Sequence, residues 1–495
     1  MRMAKISRHY FNYFLLLIWL ILLSFGMSHH VFWRDEVRAL NIAKAAETLW
    51  NLPTYLTNEG HPILWYALLK LSFSIFKSNL VLPILAAVFA TLNVLILLFK
   101  SPFHWSFVAL FIFGQYGLFE YGIIARNYGI AVTLFFTFAM LYRQKKDLGA
   151  LLVLALAAQT NFYATIFSLL LGAFVMLDRK DAFKNYRYYM GFGVLLLSGL
   201  ISYLLCTPSA ESLVVQSFSI QQVPFSKIWD VGWGFDHLFD GIWGFKHGFK
   251  TFLLFAILTL FWKNKKTLII AFLGMVFMAG FHLSIRPNYS HHEGMFLLYI
   301  IALFWANQSS SIQQPKKLNL QKVQVAGYMV MLLILTFNLV RGIRNYELYV
   351  NLDQSNADHL GLWLKSNTPA NAVYIAEPDY DIEGVMYYQN QPFYLPRESR
   401  FGTYAQFTTA NESHLSLSQL LTLSDSFQRL GKVPYLIVQF DLENTVDTLL
   451  HSYDKHFEID SQSYQEFNRK FEKVADFHEF ISTDESFYVY TKKKK

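Results

Sequence analysis

The sequence predicts a mostly α-helical protein, a polytopic transmembrane helical bundle of about 11 spans followed by a C-terminal extracytoplasmic α/β domain. Three observations carry the prediction. The 495 residues are 54% hydrophobic and 18% aromatic but only 16% charged, against about 25% charged for an ordinary soluble domain. Charges are scarce inside long apolar blocks before residue 340 and frequent after it. Basic residues, finally, gather in alternate short loops, as they do on the cytoplasmic side of membrane proteins.

Taken in order, Arg2, Lys5 and Arg8 precede an apolar run over 11–27. No small-x-small cleavage pattern follows it, and more spans come later, so the run reads as an uncleaved first helix with a cytoplasmic N-terminus. A crossing helix needs about 20 residues. Candidates lie near 11–29, 80–99, 104–119, 126–142, 148–160, 162–177, 189–206, 251–262, 267–283, 294–307 and 324–340.

A further apolar stretch, 62–76, is settled by charge. If it does not cross, then Lys100, the Arg143/Lys145/Lys146 group, the Arg179/Lys180/Lys184/Arg187 group, the Lys263/Lys265/Lys266 group and the Lys316/Lys317/Lys322 group all fall inside. The outer short loops then keep few bases, among them Arg126, Lys227, Lys246 and Arg286. If it did cross, every later cluster would move outside. Lys70 also sits midway along it, a costly position in lipid. The stretch is therefore expected at the outer face, within a long structured first outer loop, 30–79.

In that loop, Val37, Leu40, Ala43, Ala46 and Leu49/Trp50 recur at helical intervals while Arg38, Lys44 and Glu47 point elsewhere. The pattern predicts an amphipathic surface helix over 35–50, ended by Asn51-Leu52-Pro53. After Arg341 the reading changes to helix over 357–366, strand over 372–376, helix over 415–430, and strands over 435–440 and 486–491, a small α/β domain. The chain thus divides into a membrane module, 1–340, and a soluble domain, 341–495, which the parity of the spans puts outside.

Several classes drop out. The single cysteine, Cys206, excludes an intramolecular disulfide framework. No dinucleotide or Walker glycine loop and no Cys/His metal cluster occurs. The formal charge of +7 is what topology requires and points to membrane lipid as a partner, with no nucleic acid implied.

Four polar patches fall at the outer face. Trp33-Arg34-Asp35-Glu36 opens the surface helix, where Asp35 is also a good N-cap and Glu36 suits the positive helix end. Asn58-Glu59-Gly60-His61-Pro62 also reads as a polar turn. Glu120 and Arg126, six positions apart between two spans, also fit a local ion pair. The segment 285–293 carries Arg286, His291, His292 and Glu293, and a snorkelling arginine explains its first member equally well. What sets the patches apart is that four loops put acids, Arg and His on one side of the membrane. A carboxylate base beside cationic groups suits deprotonation of an acceptor hydroxyl while a phosphate departs. The donor would be a phosphate-activated group on a lipid.

These residues bring the chain close to a known family. It resembles the polytopic glycosyltransferases of the GT-C superfamily, especially bacterial members related to protein mannosyltransferases and to the aminoarabinose transferase of lipid A. The matching pieces are Arg34-Asp35-Glu36, Gly60-His61-Pro62-Ile63-Leu64-Trp65-Tyr66 and Ala125-Arg126-Asn127-Tyr128-Gly129. They are similar to the family's acidic first-loop motif, its "HPP-L-YY" loop end and its "AR-x-Y" stretch, with Ile63 standing where the family usually has a second proline.

The resemblance implies an inverting transferase of the bacterial inner membrane that takes its sugar from a polyprenyl-phosphate-linked donor to a lipid, glycan or protein acceptor. It implies Asp35 as catalytic base with Glu36 beside it. Glu120, His61 and Glu59 would position the acceptor or a cation, and Arg126, Arg286, His291, His292 and Tyr128 would hold the donor phosphate. Family members differ in metal dependence, and Asp35 and Glu120 would be the ligands of any divalent metal cation. The main rival is a transporter or flippase of lipid-linked sugars or polysaccharide, which would carry polar or broken helices at mid-membrane. A plain anchor for the C-terminal domain would need neither so many spans nor an acidic first loop.

Overall fold

The computed structural model describes residues 2–179, 182–212, 231–239, 247–284, 289–308, 321–409, 415–443, 457–478, 481 and 485–493. Arg286, with Lys180, Lys227, Lys246, Lys316 and Lys317, lies outside the described residues.

All eleven predicted spans coincide with helix, but they differ in length. Among the described residues five helices are long and apolar enough to cross a membrane: α1 (Arg2–Ser28), α5 (Val81–Lys100), α10 (Tyr186–Cys206), α12 (Lys265–Ser284) and α14 (Lys322–Asn351). At about 1.5 Å per residue, 20 residues match a hydrocarbon core of about 30 Å. The segment predicted at 104–119 is two pieces, α6 (Trp105–Ile112) and a π-helix (Gln115–Ile123), bent by 41° at the break, which together would make a sixth. The remaining apolar helices are shorter: α7 (Tyr128–Arg143), α8 (Asp147–Ala157), α9 (Phe162–Asp178), α11 (His247–Leu258) and α13 (Ser290–Ala306). Length and composition alone thus single out five or six of the eleven segments as able to cross unaided, and the others are shorter apolar helices.

The long helices expose large apolar side chains. Leu17, Ile21 and Phe25 line one face of α1, and Leu196, Leu197, Leu200 and Leu204 line one of α10. Helix α13, by contrast, is buried at every position from Gly294 to Ala306. A helix apolar all round and enclosed by others, within a ring of helices apolar on the outside, is the arrangement lipid requires.

The segment between α1 and α5 holds three helices: α2 (Arg34–Ala45), α3 (Leu52–Tyr55) and α4 (Leu64–Phe76). Two expectations are corrected here. The first loop helix stops at Ala45, short of residue 50, and Leu52-Pro53 opens the next helix where the sequence reading had it end the first. Nor does α2 float on a surface. Its polar Arg38 and Asn41 are as buried as its apolar Val37 and Leu40, because the C-terminal domain covers them. The 13 residues of α4 reach only about 20 Å, and Lys70 is satisfied by the carbonyl of Ala46.

Helix α14 runs unbroken through residue 341, where the composition changes, and ends at Asn351. Beyond it, α15 (Ala357–Asn367) leads into a six-stranded sheet of β1 (Ala372–Glu377), β2 (Phe393–Leu395), β3 (Arg400–Gly402), β5 (Val433–Val438), β7 (Phe471–Phe477) and β8 (Phe487–Lys492), in the order β3-β2-β1-β5-β8-β7, while β4 (Leu415–Ser416) and β6 (Phe457–Glu458) form a separate short parallel pair. Strand β1 pairs parallel with β2 and β5, and the outer pairs are antiparallel. Its alternate residues serve two cores. Tyr374 and Ala376 pack with Leu360 and Leu364, while Val373 and Ile375 pack with Leu417, Leu420 and Phe467. Helices on both faces of a partly parallel sheet make this an α/β domain.

Candidate functional site

The site forms where four segments meet at one end of the bundle: the start of α2, the π-helix, the turn before α7 and the start of α13. Helix α2 begins after Trp33, which is its N-cap, so Asp35 stands in the first turn without capping it. Its neighbour Glu36 carries the structural load. Fully buried, Glu36 accepts from His30 Nε2 at 2.7 Å and from the backbone N–H of Ala125 at 2.6 Å, and reaches back to the N–H of Trp33 at 3.4 Å. One carboxylate thereby ties the segment between α1 and α5 to the turn that carries Arg126.

That tie puts Arg126 beside Asp35, Nη2 to Oδ2 at 3.6 Å, with the Arg34 Nε on the other oxygen at 3.7 Å. Both distances exceed a hydrogen bond, and 38% of the Asp35 side chain stays open, against 17% for Arg126. Burial alone would raise the Asp35 carboxyl, but Arg126, then Arg34 and His291, outweigh it and hold it below the ordinary value of 3.8. Asp35 is therefore an accessible, ionised carboxylate facing guanidinium groups that leave its lone pairs partly unclaimed.

Glu120 does not pair with Arg126, its neighbour in sequence. It turns to His291, Oε1 to Nδ1 at 3.4 Å, and takes a hydrogen bond from Gln115 Nε2 on Oε2 at 3.0 Å. Five residues separate Gln115 from Glu120, the spacing of one π-helical hydrogen-bonded turn, so the local geometry that is rare elsewhere stacks these two side chains. The His291 ring lies 5.2 Å from that of Tyr128, which also carries the Arg126 guanidinium at 5.5 Å. Asp35, Glu120, Arg126 and His291 are mutual electrostatic neighbours.

The other predicted residues sit nearby in different company. His292 packs on His291 at 4.2 Å but also on Tyr163 at 4.6 Å. Glu59 grips Arg38 with both oxygens, at 2.6 and 2.9 Å. His61, on the same loop, is half-buried just ahead of α4.

The C-terminal domain closes one side. Arg34 pairs with Asp381 and Arg38 with Glu383, the backbone N–H of Arg34 donates to Glu485 at 2.9 Å, and that of Phe32 donates to the Tyr388 hydroxyl at 2.6 Å. Arg38 also lies over the Phe407 ring at 3.8 Å. The residues flanking Asp35 in α2 are thus held from above by the second domain.

The sequence reading missed His30, Gln115, Arg34 as a bridge, and the domain's Asp381 and Glu383. Gln115 was visible in principle as a lone amide inside an apolar run one π-turn before Glu120. The domain contacts, more than 340 residues away in the chain, left no local trace.

The acids do not make a metal donor set. Among the described residues no three His, Cys, Asp or Glu side chains converge on one point, and Asp35 and Glu120 face a guanidinium and an imidazole. No protein-family model matches the chain, and a search of curated proteins finds no match either.

Proposed function

We propose that the protein is a membrane glycosyltransferase that moves a sugar, with inversion, from a polyprenyl-phosphate donor to a hydroxyl on a lipid, glycan or protein acceptor. The observation that carries the reading is the open, ionised carboxylate of Asp35 set 3.6 Å from Arg126 and beside the Glu120–His291 pair. An unclaimed base next to anchored positive charge is what the displacement needs.

In the reaction, Asp35 takes the proton of the acceptor hydroxyl as its oxygen attacks the anomeric carbon. The bond from that carbon to the phosphate oxygen breaks on the opposite face, and the configuration inverts. Arg126 and His291 bear the charge that grows on the leaving polyprenyl phosphate, with Arg286 and His292 as further candidates. Tyr128 packs against both the Arg126 guanidinium and the His291 ring. In this reading Glu120 serves His291 in place of the acceptor, and Glu36 positions the loop in place of doing chemistry.

The reading takes all eleven helical segments as spans, several completed by flanking residues, in a bacterial inner membrane. The N-terminus and the Lys/Arg clusters then lie in the cytoplasm and the Asp35 site with the C-terminal domain lies outside. The test is to incubate purified protein with lipid-linked sugars and candidate acceptors and follow mass. Transfer that disappears with Asp35→Asn supports the proposal. Lipid relocated across the bilayer without transfer would make the protein a flippase and overturn it.

A further inference from the structure

Resting on that reading, we infer that Gln115 and Asn345 are positioning residues: a two-amide relay that fixes the Glu120 carboxylate, and through it His291, for the donor phosphate. The relay is continuous. Asn345 Nδ2 donates to Gln115 Oε1 at 3.0 Å, Gln115 Nε2 donates to Glu120 Oε2 at 3.0 Å, and the other Glu120 oxygen faces His291 Nδ1 at 3.4 Å.

Each link removes one freedom. An isolated glutamine amide can turn over and offer either end. Here Asn345 donates to the oxygen, so the NH₂ end is left for Glu120. With Oε2 occupied, the carboxylate presents Oε1 to the imidazole. A carboxylate on Nδ1 favours the tautomer with hydrogen there and leaves Nε2 as the working nitrogen. That nitrogen faces the arriving phosphate, whose negative charge joins those of Glu120 and Asp35 against the burial and the Arg126 charge that disfavour imidazolium.

The backbone is shaped to make this contact. A Cβ on Gly342, one turn before Asn345, would lie 2.5 Å from the backbone nitrogen of Gln115 and 2.7 Å from the carbonyl carbon of Gly114. A side chain there would push α14 off the π-helix and break the first link. The bare glycine allows the two backbones to touch, which is what brings so short a side chain as asparagine within reach. Asn345 belongs to the helix that carries the C-terminal domain, so the relay also ties that domain's support to the phosphate side of the site.

The test is a double-mutant cycle on binding of a polyprenyl monophosphate to purified protein, followed by native mass spectrometry. Gln115→Met, which keeps volume without hydrogen bonding, and Asn345→Ala should each weaken binding about tenfold. In a His291→Ala background neither should change it by more than about twofold. Equal losses in both backgrounds, or none in either while His291→Ala itself weakens binding, would overturn the relay.

A second measurement separates the relay from the reaction it serves. Diethyl pyrocarbonate modifies unprotonated imidazole nitrogen, and its rate at His291 should change several-fold in Gln115→Met. An unchanged rate overturns the relay whatever the phosphate result. A changed rate, together with His291→Ala binding the lipid phosphate as the wild type does, upholds the relay and overturns the phosphate role proposed for the site.

Discussion

The helical module has a polar network at each end, and the two are built to different ends. Helices α7, α9 and α13 begin at the Asp35 site and finish at the other. There Asp147 binds Arg179 at 2.8 Å and the Tyr188 hydroxyl at 2.6 Å, Asp178 takes the Tyr142 hydroxyl at 2.5 Å and the Asn264 amide at 2.9 Å, and Arg179 lies flat on Tyr142 at 4.0 Å. Every carboxylate in that network is met at hydrogen-bond distance by two partners. At the Asp35 end the two arginine contacts stop at 3.6 and 3.7 Å and leave the carboxylate open. Saturation fits a network that holds helices together, and an unfinished ion pair fits the catalytic role proposed for Asp35.

The sharpest way to break this comparison is at Asp35. Asp35→Asn should cut transfer by about 10²–10⁴-fold, the range of a lost general base, while the melting temperature in detergent stays within a few degrees. Activity close to wild type would remove the contrast between the two ends. Arg126→Ala should follow with a loss of about 10²–10³-fold, as for one electrostatic donor to a leaving group. The same substitution should move the acid limb of kcat/KM to higher pH. In the wild type the Asp35 carboxyl is held below its ordinary value, so its base form persists as pH falls until that low value is passed. Without Arg126 the burial effect is less opposed and protonation begins sooner. An acid limb that stays in place or moves down would refute the pairing. For stability the sign follows from the same shift: Asp35 adds to it above its unfolded value and loses that contribution as pH falls through the folded one.

At the other end the effect should be smaller and of another kind. Arg179→Ala leaves Asp147 with the Tyr188 hydroxyl alone and should destabilise the protein by about 1–3 kcal/mol, read as a lower thermal midpoint with the folded fraction still active. Loss of turnover without loss of stability would show that this network is not merely structural. The mildest case is Arg34→Ala, which unfastens one point of the C-terminal domain among several. It should increase cleavage by protease between the two parts of the chain and lower transfer by about tenfold or less.

What the sequence made legible follows from what is local. Long apolar runs such as 80–99 and 189–206 announced helices because length and composition suffice. Strand β1 was plain because a buried parallel strand is a short unbroken apolar run. Strand β7 was not, since Phe471-Glu472-Lys473-Val474-Ala475-Asp476-Phe477 is a half-exposed edge whose pairing slips between Lys473 and Ala475. At the site, Asp35 and Arg126 were chosen by residue type and by loop, and they do meet. The partner of Glu120 was misread for a simple reason. Proximity along the chain pointed to Arg126 six residues on, whereas a π-helical turn and a distant helix start gave it Gln115 and His291 instead. Arg38 appeared to be a solvent-facing charge because the domain that buries it lies more than 340 residues further along.

Helix α14 has a consequence for how the two halves stay in step. Its 30 residues extend about 45 Å, well beyond the roughly 30 Å of a bilayer core. It therefore works as a mast, longer than a bilayer core is thick, whose last turns bear the sheet domain. A helix advances by about 100° per residue, so one residue added above Asn345 would swing the domain a quarter turn around the mast, carrying Asp381 and Glu383 away from the arginines of α2. The angular setting of that single rod decides whether the roof fits over the carboxylate beneath it.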